Sequence, residues 1–491
     1  MVDTVQSKLW QAIVAATATL GPEATALRIP LWVEFRQRPR SLKGRIAAIV
    51  RISRQFLTMG RKVKVPFRSG VLVCFPHHTL SNINNMMPVA TEAFRRGLVG
   101  AILTSGNFSE KLADFAESVP IITEQELVGQ LSVPERLRNL ARIAWVYKEV
   151  VAALSQHLPE FRLARRRARL LQMISASVVY GSIFKRFFAT WVPDCIVSTS
   201  DFWPFEHQLC CQAKLRHVPS LVIQHGTIDY IWWPFVADFC CLWGDAHVDQ
   251  LRSLGAPPHR LTVVGMPATD KFFRRSGTVS GRQVSDRVRP VCLILSMTNG
   301  SSAEPEVFRS YRQFIIEIIN LIPFVTWKVK LHPVETDSFY RELGDSLYGR
   351  LTFHPSSVSL EEAVNDADVV TTIYSTAGLE TMVMDRPLIV APATARVQEL
   401  AWWPMARGGT YAASAQEFEE QLNKLISDHD YRLRQLAEQR SFLTRSFANQ
   451  GHAAEHMVDL LGAYSRQRPT SRMLSPCSGE NTAGPAVPIL E

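Results

Sequence analysis

Two stretches in the second half of the chain carry side chains that suit an anionic group. In the first, a strand predicted from Thr326 to Leu331 contains Lys330 and runs into His332 and Pro333. The proline ends the strand and fixes the backbone just after the histidine. An ammonium and an imidazole at such a strand end can bind a phosphate. The plainer interpretation is a strand that ends in His-Pro, with Lys330 on a solvated face.

In the second stretch, a strand predicted from Val369 to Thr372 is followed by Ser375 and Thr376, which open a predicted helix. Hydroxyl groups and free backbone N–H groups at a helix N-terminus form an anion site. Glu380 follows in the first turn, where its carboxylate can accept hydrogen bonds from sugar hydroxyls. The plainer interpretation is an ordinary serine N-cap.

A third loop, which holds Asn299 and Gly300, follows a strand predicted from Val291 to Ser296. All three loops follow the C-terminal end of a strand, which is the edge where open parallel sheets bind ligands. Taken together, the three loops predict a nucleotide-binding site in the second half of the chain.

The elements that must position these residues alternate between strand and helix in two series, which predicts an α/β fold with two parallel sheets. We expect a basic helical extension over residues 1–68, one α/β domain over 69–273 and a second over 290–465. A polar linker is expected at 274–289, and the last helix is expected to cross back onto the first domain. The Pro-, Ser- and Gly-containing residues 466–491 are typical of a disordered tail.

The net charge of +9 is concentrated near the N-terminus, since residues 28–68 hold twelve Lys or Arg and the single acid Glu34. Apolar and aromatic residues interleave these charges, which fits either an anionic membrane surface or a solvated helical face. No nucleic-acid module accompanies the basic stretch, so we expect no nucleic-acid partner. No apolar run is long enough to cross a bilayer, and the N-terminus lacks the pattern of a signal peptide. A cytoplasmic protein, held peripherally on the inner face of the plasma membrane, is expected.

The strand that ends in Lys330-Leu331-His332-Pro333, followed some forty residues later by the helix start Ser375-Thr376, resembles the donor site of certain two-domain GT-B glycosyltransferases. The groups concerned are bacterial sialyltransferases, capsule Kdo transferases and CDP-glycerol glycerophosphotransferases, which use cytidine-nucleotide donors. In the first half, three motifs are similar to the acceptor-domain edge of the glycerophosphotransferases. They are Gln224-His225-Gly226-Thr227, the run from Ala237-Asp238 to Trp243-Gly244, and Val263-Val264-Gly265-Met266-Pro267 with Asp270. The resemblance covers about residues 69–460.

The resemblance implies two Rossmann-like domains that face a cleft, with the nucleotide on the second. It makes His332 and Ser375-Thr376 contacts of the donor phosphate, and it makes His225 the general base on the acceptor hydroxyl. A histidine suits that role because its pKa lies near working pH. Asp201, at the end of the preceding strand, is a rival base, and a structural His225 is the alternative to both.

Three further residues, His77, His78 and Thr227, are candidates for the acceptor side. The partners expected are a nucleotide-activated donor and a glycan or lipid-linked acceptor, in the synthesis of a capsule or another cell-envelope polysaccharide. No cofactor and no metal are expected, because no Asp-x-Asp motif or His/Cys cluster suggests a required metal. The acidic motif that sialyltransferases place in the first domain is not found, which lowers that option.

Two other functions stay open, besides nucleic-acid binding through residues 28–68, which strongly salt-dependent binding of RNA or DNA would favour. A UDP-sugar 2-epimerase shares the two-domain fold, although its nucleotide site usually shows Ser-Gly-Gly where this chain has Ser375-Thr376-Ala377. A non-catalytic subunit that binds glycan or nucleotide is the other alternative.

Overall fold

The structure is a computed structural model, and it describes most of the 491 residues. The described ranges are 5–28, 30–31, 69–75, 80–104, 112–158, 166–226, 228, 230–276, 289–296, 305–332, 335, 337–342, 345–355, 357–373, 375–391 and 408–466. Most of the basic N-terminal segment, residues 277–288 of the predicted linker and residues 467–491 lie outside these ranges. Residues 274–276, which the sequence assigned to the linker, are the end of a helix.

The first half of the chain forms a parallel sheet of seven strands in the order β3-β2-β1-β4-β5-β6-β7. The strands are β1 (Val71–Phe75), β2 (Val99–Thr104), β3 (Ile121–Thr123), β4 (Ile196–Ser198), β5 (Ser220–Ile223), β6 (Phe239–Leu242) and β7 (Leu261–Val263). Every residue of β1, β2, β4 and β5 is buried, as is typical of a parallel sheet covered on both faces.

The second half forms a parallel sheet of six strands in the order β10-β9-β8-β11-β12-β13. The strands are β8 (Val291–Leu295), β9 (Thr326–Lys330), β10 (Leu351–Phe353), β11 (Val369–Thr372), β12 (Leu388–Val390) and β13 (Thr410–Tyr411). Two parallel-sheet α/β domains were expected, and the structure confirms them. The short strands β10 and β13 were missed, since neither has the long apolar run by which a buried strand is recognised.

The helices of the first half lie before, between and, in the case of the last, after the strands of the first sheet. They are α1 (Val5–Thr17), α2 (Pro22–Thr25), α3 (Leu80–Arg95), α4 (Ala113–Ala116), α5 (Glu124–Gly129), α6 (Val133–His157), α7 (Arg167–Thr190), α8 (Pro204–Lys214), α9 (Asp245–Ser253) and α10 (Asp270–Ser276). The start of α5 is a capping box, in which Thr123 and Glu126 each accept from the other's backbone N–H.

Helices of the second half pack on the second sheet, except for the last. They are α11 (Pro305–Leu321), α12 (Ser338–Arg341), α13 (Asp345–Tyr348), α14 (Leu360–Asn365), α15 (Ala377–Val383), α16 (Ala415–Ser427), α17 (His429–Ser446) and α18 (Ala453–Arg466). No helix among the described residues is both long and apolar enough to span a membrane.

The two halves exchange helices. Met457, Val458 and Leu461 of α18 are buried in the core of the first sheet, so α18 crosses back onto the first domain. In the opposite direction, Phe272 of α10 is buried in a core of the second sheet. Helix α10 also contains position 273, at which the sequence placed the end of the first domain.

The described part of the N-terminal segment belongs to the first domain by its packing. Trp10, Ile13, Leu27 and Leu31 share one apolar core with the buried faces of α6 and α7. The indole Nε1 of Trp10 also donates to the backbone oxygen of Trp233 at 3.0 Å. Residues 5–28 and 30–31 are therefore held to the first domain by apolar burial, which the count of basic residues in the sequence did not indicate.

Candidate functional site

Strand order locates the ligand-binding edge of the second sheet. Strand β8 lies between β9 and β11, and the chain leaves β8 for β9 on one side and reaches β11 on the other. This reversal leaves a crevice at the carboxyl ends of β8 and β11, where open α/β sheets bind ligands. The loop after β8 holds Asn299 and Gly300, which lie outside the described residues. The loop after β11 leads to Ser375 and Thr376.

Hydrogen bonds tie the strand ends at this crevice together. The hydroxyl of Thr372 donates to the backbone oxygen of Leu295 at 3.3 Å and accepts from the N–H of Ser375 at 3.4 Å. On the other side of β8, the N–H of Ser296 donates to the backbone oxygen of Lys330 at 3.0 Å. Ser375 and Lys330 therefore flank β8 from its two neighbouring strands. Two strand spacings separate the backbones of β9 and β11 by about 10 Å, so one phosphate group is too small to lie against both strand ends.

Ser375 makes local hydrogen bonds at the start of α15, whose N-cap residue is Thr376. Its hydroxyl oxygen accepts from the N–H of Ala377 at 3.3 Å, and its carbonyl accepts from Gly378 at 2.8 Å. Both Ser375 and Thr376 are partly buried, and the helix that they open has seven residues. The hydroxyl of Ser375 is therefore used in a local turn before the cap at Thr376, and contact of either residue with a phosphate stays a prediction.

Lys330 and His332 stand at the end of β9, as the sequence predicted. Lys330 alternates with buried Val329 and lies on the same face of the sheet as Lys328, whose ammonium pairs with Asp366. Partial burial lowers the pKa of Lys330 and also that of His332. The imidazole is therefore biased toward its neutral form, in which one ring nitrogen donates and the other accepts. Pro333 lies outside the described residues.

A residue that the sequence interpretation missed, His354, stands beside Lys330. His354 follows β10, and its N–H donates to the backbone oxygen of Val329 at 2.9 Å, which continues the ladder with β9. Burial lowers the pKa of His354, and the charges of Lys328 and Lys330 lower it further. Its Nε2 atom is buried without a hydrogen-bond partner among the described residues. The sequence did contain a signal for it, since His354-Pro355 repeats the strand-His-Pro pattern of β9.

The turn that carries His332 is held by Glu335. The carboxylate of Glu335 accepts from the N–H of His332 at 3.2 Å, and the N–H of Glu335 donates to the carbonyl of His332 at 2.8 Å. Burial raises the pKa of Glu335, while hydrogen bonds from Ser296 and from the His332 backbone oppose the shift. Ser296 in turn accepts from the hydroxyl of Tyr340 at 2.8 Å. A buried polar network thus fixes the backbone at the end of β8 and β9.

Glu380 lies in the first turn of α15, as expected, but its surroundings differ from a solvated sugar-binding position. Burial raises the pKa of Glu380 to about 7, and the charge of Lys271 on α10 opposes that shift. Lys271 also pairs with Glu361 at 3.3 Å. The carboxyl group of Glu380 therefore lies near the place where the two halves of the chain meet.

In the first domain, His225 follows β5 in a loop that is fixed from both sides. The side-chain amide of Gln224 donates to the carbonyl of Gly226 at 2.9 Å and accepts from the N–H of Trp243 at 3.0 Å. The imidazole of His225 lies 5.1 Å from the ring of Trp232. Burial lowers the pKa of His225 to about 4, against a hydrogen bond with the Thr199 backbone. At neutral pH the ring is therefore uncharged, as a proton acceptor must be, although it is less basic than the sequence argument assumed.

Asp201, the rival base, is only 1% exposed. One carboxylate oxygen accepts from the backbone N–H groups of Val236 and Ala237, the latter at 2.8 Å. Burial raises the pKa of Asp201, and those two amide bonds oppose the shift. This geometry favours a role in holding the 236–237 backbone. His77, His78 and Thr227 lie outside the described residues, so their place on the acceptor side stays a prediction.

Several motif residues of the first half contact the crossing segment, residues 446–466, which leads from the end of α17 through α18. A Cβ atom at Gly244 would come within 2.1 Å of the backbone oxygen of Ser446, and one at Gly265 within 2.4 Å of that of Ala448. Asp270 accepts from two backbone N–H groups at the start of α18. These residues therefore attach the C-terminal segment, a role that the family resemblance did not indicate.

Among the described residues, no three His, Cys, Asp or Glu side chains stand together as a metal site would require. Independence of metal stays a prediction.

No family model matches the sequence, and no curated protein matches it either. Solved structures do match over most of the chain. One is S. aureus MnaA in a co-structure with UDP, with a TM-score of 0.50 and 13% identity, covering 81% of this chain and 97% of that one. Another is UDP-GlcNAc 2-epimerase from Neisseria meningitidis bound to UDP-GlcNAc, with a TM-score of 0.50 and 14% identity, covering 80% and 100%.

UDP-N-acetylglucosamine 2-epimerase from Rickettsia bellii is equally similar, with a TM-score of 0.50, 12% identity and coverage of 82% and 98%. The fold is GT-B-like. This confirms the fold that the sequence resemblance implied, and at such identities the likeness carries no more than the fold.

Proposed function

We propose that this GT-B-like protein is a glycosyltransferase, or a polyol-phosphate transferase, that uses a nucleotide-activated donor. The acceptor is a hydroxyl of a surface polysaccharide or a lipid-linked glycan, as in the synthesis of a capsule or another part of the cell envelope. One observation carries the proposal. The crevice at β8 and β11 has basic side chains on one flank and a hydroxyl-bearing turn on the other.

The donor's diphosphate is the group that this crevice suits best. On the β9 and β10 flank, Lys330 supplies a cation, and His332 and His354 supply imidazoles that can donate to phosphate oxygens. On the β11 flank, Ser375 and Thr376 supply hydroxyls. The separation of about 10 Å between the flanking strands favours an extended group such as a diphosphate with part of its sugar or nucleoside. Fixed basic groups here can stabilise the charge of the leaving nucleotide without a cofactor.

His225 is the proposed base on the acceptor hydroxyl. Its ring is neutral at working pH, and the loop that carries it is fixed by Gln224 and Trp243. A fixed, neutral imidazole can take the acceptor proton as the new bond forms. A pKa of about 4 reduces the driving force for that proton transfer. Binding of an anionic donor nearby would raise the pKa of His225.

The identity of the nucleotide rests on two different indications. The motifs resemble enzymes that use cytidine nucleotides, whereas MnaA and the Neisseria epimerase are described with UDP and UDP-GlcNAc. The narrower resemblance to glycerophosphotransferases and Kdo transferases rests on the motifs alone. Both nucleotide classes therefore belong in the first experiment.

That experiment measures the shift in melting temperature with CMP, CDP, UDP, GDP and their sugars, and then the transfer of the sugar whose nucleotide binds. A ligand at a hundred times its Kd stabilises the folded state by about 2.7 kcal/mol, so one nucleotide should give a clear upward shift. The shift should be reduced in His332→Ala and retained in His456→Ala, which removes an exposed histidine of α18. If no nucleotide shifts the melting temperature, the proposal fails.

A UDP-sugar 2-epimerase is the second candidate, because enzymes with that activity share the fold over 80–82% of this chain. Incubation with UDP-GlcNAc in D₂O distinguishes the two. An epimerase exchanges the proton at C2 of the sugar, while a transferase leaves it and requires an acceptor. A protein that binds the nucleotide and does neither is the non-catalytic subunit.

A further inference from the structure

Helix α6 presents an apolar stripe to solvent. Eight large hydrophobic side chains are exposed among the described residues, and four of them lie within thirteen residues of this helix. Their exposed fractions are 66% for Val133, 61% for Leu137, 49% for Leu140 and 46% for Trp145. At 100° per residue, the first three share one arc of the helix, and Trp145 borders it.

Folding of this chain does not require the stripe to be apolar. A separate face of α6, about 100° around the helix from the stripe, already carries Ile143, Val146, Val150 and Leu154, which are buried against α1 and α7. The outer residues lie on the side that this core leaves uncovered. Exposed apolar surface of this kind is typical of a site that binds a membrane or another protein.

The charges beside the stripe are basic. Arg138, Arg142 and Lys148 are exposed on the same helix. The guanidinium of Arg142 lies 4.2 Å from the ring centre of Trp145 and also pairs with Glu23 at 3.1 Å.

Both acidic side chains of α6, Glu135 and Glu149, are partly buried. Glu135 accepts from Ser132 and pairs with Arg186 at 2.8 Å, and Glu149 is half-buried. The outer face of α6 is therefore apolar at its centre and cationic at its margin. Leucine and tryptophan flanked by Lys and Arg are the composition of a helix that lies in the interface of an anionic bilayer.

We propose that the outer face of α6 docks on an anionic membrane surface, with Val133, Leu137, Leu140 and Trp145 entering the interface. Arg138 and Lys148 then contact lipid phosphates. The exposed cations beside the stripe complement the charge of an anionic lipid surface. The sequence also holds eleven Lys or Arg against one acid over residues 32–68. This charge favours a lipid surface over an apolar protein partner.

The buried face of α6 and the loops near the proposed acceptor site share a core. Phe202, Trp203, Tyr230 and Ile231 pack against the same apolar cluster as α6, and they belong to the loops that flank His225 at the edge of the first sheet. Membrane docking does not depend on the transfer reaction, so either proposal can fail alone.

Co-sedimentation with vesicles tests the docking. The full chain should bind vesicles of equimolar phosphatidylglycerol and phosphatidylcholine, and bind phosphatidylcholine alone at least about tenfold more weakly. The variant Leu137→Gln/Leu140→Gln should lose about tenfold or more of the binding to anionic vesicles. The matched control is Leu433→Gln, which changes an exposed leucine of α17 and should leave binding unchanged.

Because both α6 positions are solvent-exposed, the double variant should keep the melting temperature of the parent. The variant Arg138→Gln/Lys148→Gln should weaken binding to anionic vesicles and reduce its sensitivity to salt. Equal binding of the parent and the Leu137→Gln/Leu140→Gln variant would overturn the proposal. So would a parent that is dimeric in solution while this variant is monomeric, since a second copy would then cover the face.

Discussion

The carboxylate of Asp270 accepts a 2.8 Å hydrogen bond from the backbone N–H of Ala454, and its other oxygen accepts a 3.0 Å bond from the neighbouring amide of Ala453. Asp270 begins α10, at the end of the first series of strands, and the two alanines begin α18. One side chain therefore satisfies two amides at the start of the helix that crosses back to the first sheet.

Asp270→Ala should lower the free energy of unfolding by about 2 kcal/mol, because it leaves two buried N–H groups without their acceptor. Urea unfolding followed by circular dichroism measures the loss. Asp428→Ala is the control, since Asp428 caps α17 at an exposed position through a 2.8 Å bond to Tyr431. Its cost should be about 1 kcal/mol or less. Equal effects of the two variants would show that the crossing helix does not depend on Asp270.

Gly265→Ala should destabilise the protein by more than about 2 kcal/mol. Two causes act together, since Gly265 has φ of +95° and its Cβ would come within 2.4 Å of the Ala448 oxygen. Gly226→Ala is the matched control, because a Cβ there meets nothing within 4 Å. The measurement is the midpoint of urea unfolding. A Gly265→Ala protein with the parent's midpoint would mean that the crossing segment can move away freely.

The pKa of Glu380 predicts a pH dependence of stability. Folding raises this pKa from 4.5 to about 7, so between these values the folded state binds more protons than the unfolded state. The free energy of unfolding should therefore fall as pH rises from about 4.5 to about 7, by about 3 kcal/mol at most from this residue. Glu380→Gln should remove that part of the slope. The same slope in parent and variant, measured by urea unfolding at several pH values, would contradict the burial of this carboxyl.

Lys330→Met and His354→Gln should each weaken binding of the nucleoside diphosphate by about tenfold. Lys328→Met is the control on the same face of β9, because the ammonium of Lys328 is already paired with Asp366. Isothermal titration with the nucleotide found by thermal shift measures all three. If Lys328→Met weakens binding as much as Lys330→Met, the effect comes from general charge and not from the strand end.

His225→Gln should lower kcat by about a hundredfold to ten-thousandfold and leave the Kd of the donor nucleotide unchanged. The parent's kcat/KM should show no limb near pH 6.5 from His225, because the pKa of this residue is lowered to about 4. The pH profile of transfer and titration of the nucleotide test both parts. A variant that loses nucleotide binding along with activity would place His225 in a structural role.

Much of the fold followed from local patterns. The buried strands β1, β8 and β11 are short apolar runs that end at loops rich in polar residues, and β11 (Val369–Thr372) has the bounds predicted from the sequence. Lys330, His332, Ser375 and His225 were correctly placed at strand ends for the same reason. Parallel strands in an α/β fold bring their carboxyl ends to one edge, so a strand end in the sequence is already a position in space.

The contacts of Asp201, Gly265 and His354 were not predictable in this way. Asp201 bonds the backbone of residues 236–237, Gly265 lies against Ala448, and His354 joins Lys330 only because β10 pairs with β9. Each partner is distant along the chain, and the residues around these three positions give no local pattern from which the partner could be predicted.

The sequence by itself therefore determined two α/β series, the residue types at their strand ends and the concentration of positive charge near the N-terminus. Tertiary structure decided which of those residues stand together, which motifs hold the crossing helix, and which face of α6 is left uncovered. The physical reason is that periodicity and turn residues act over a few neighbours, while burial, pKa and close backbone contact depend on packing between distant segments.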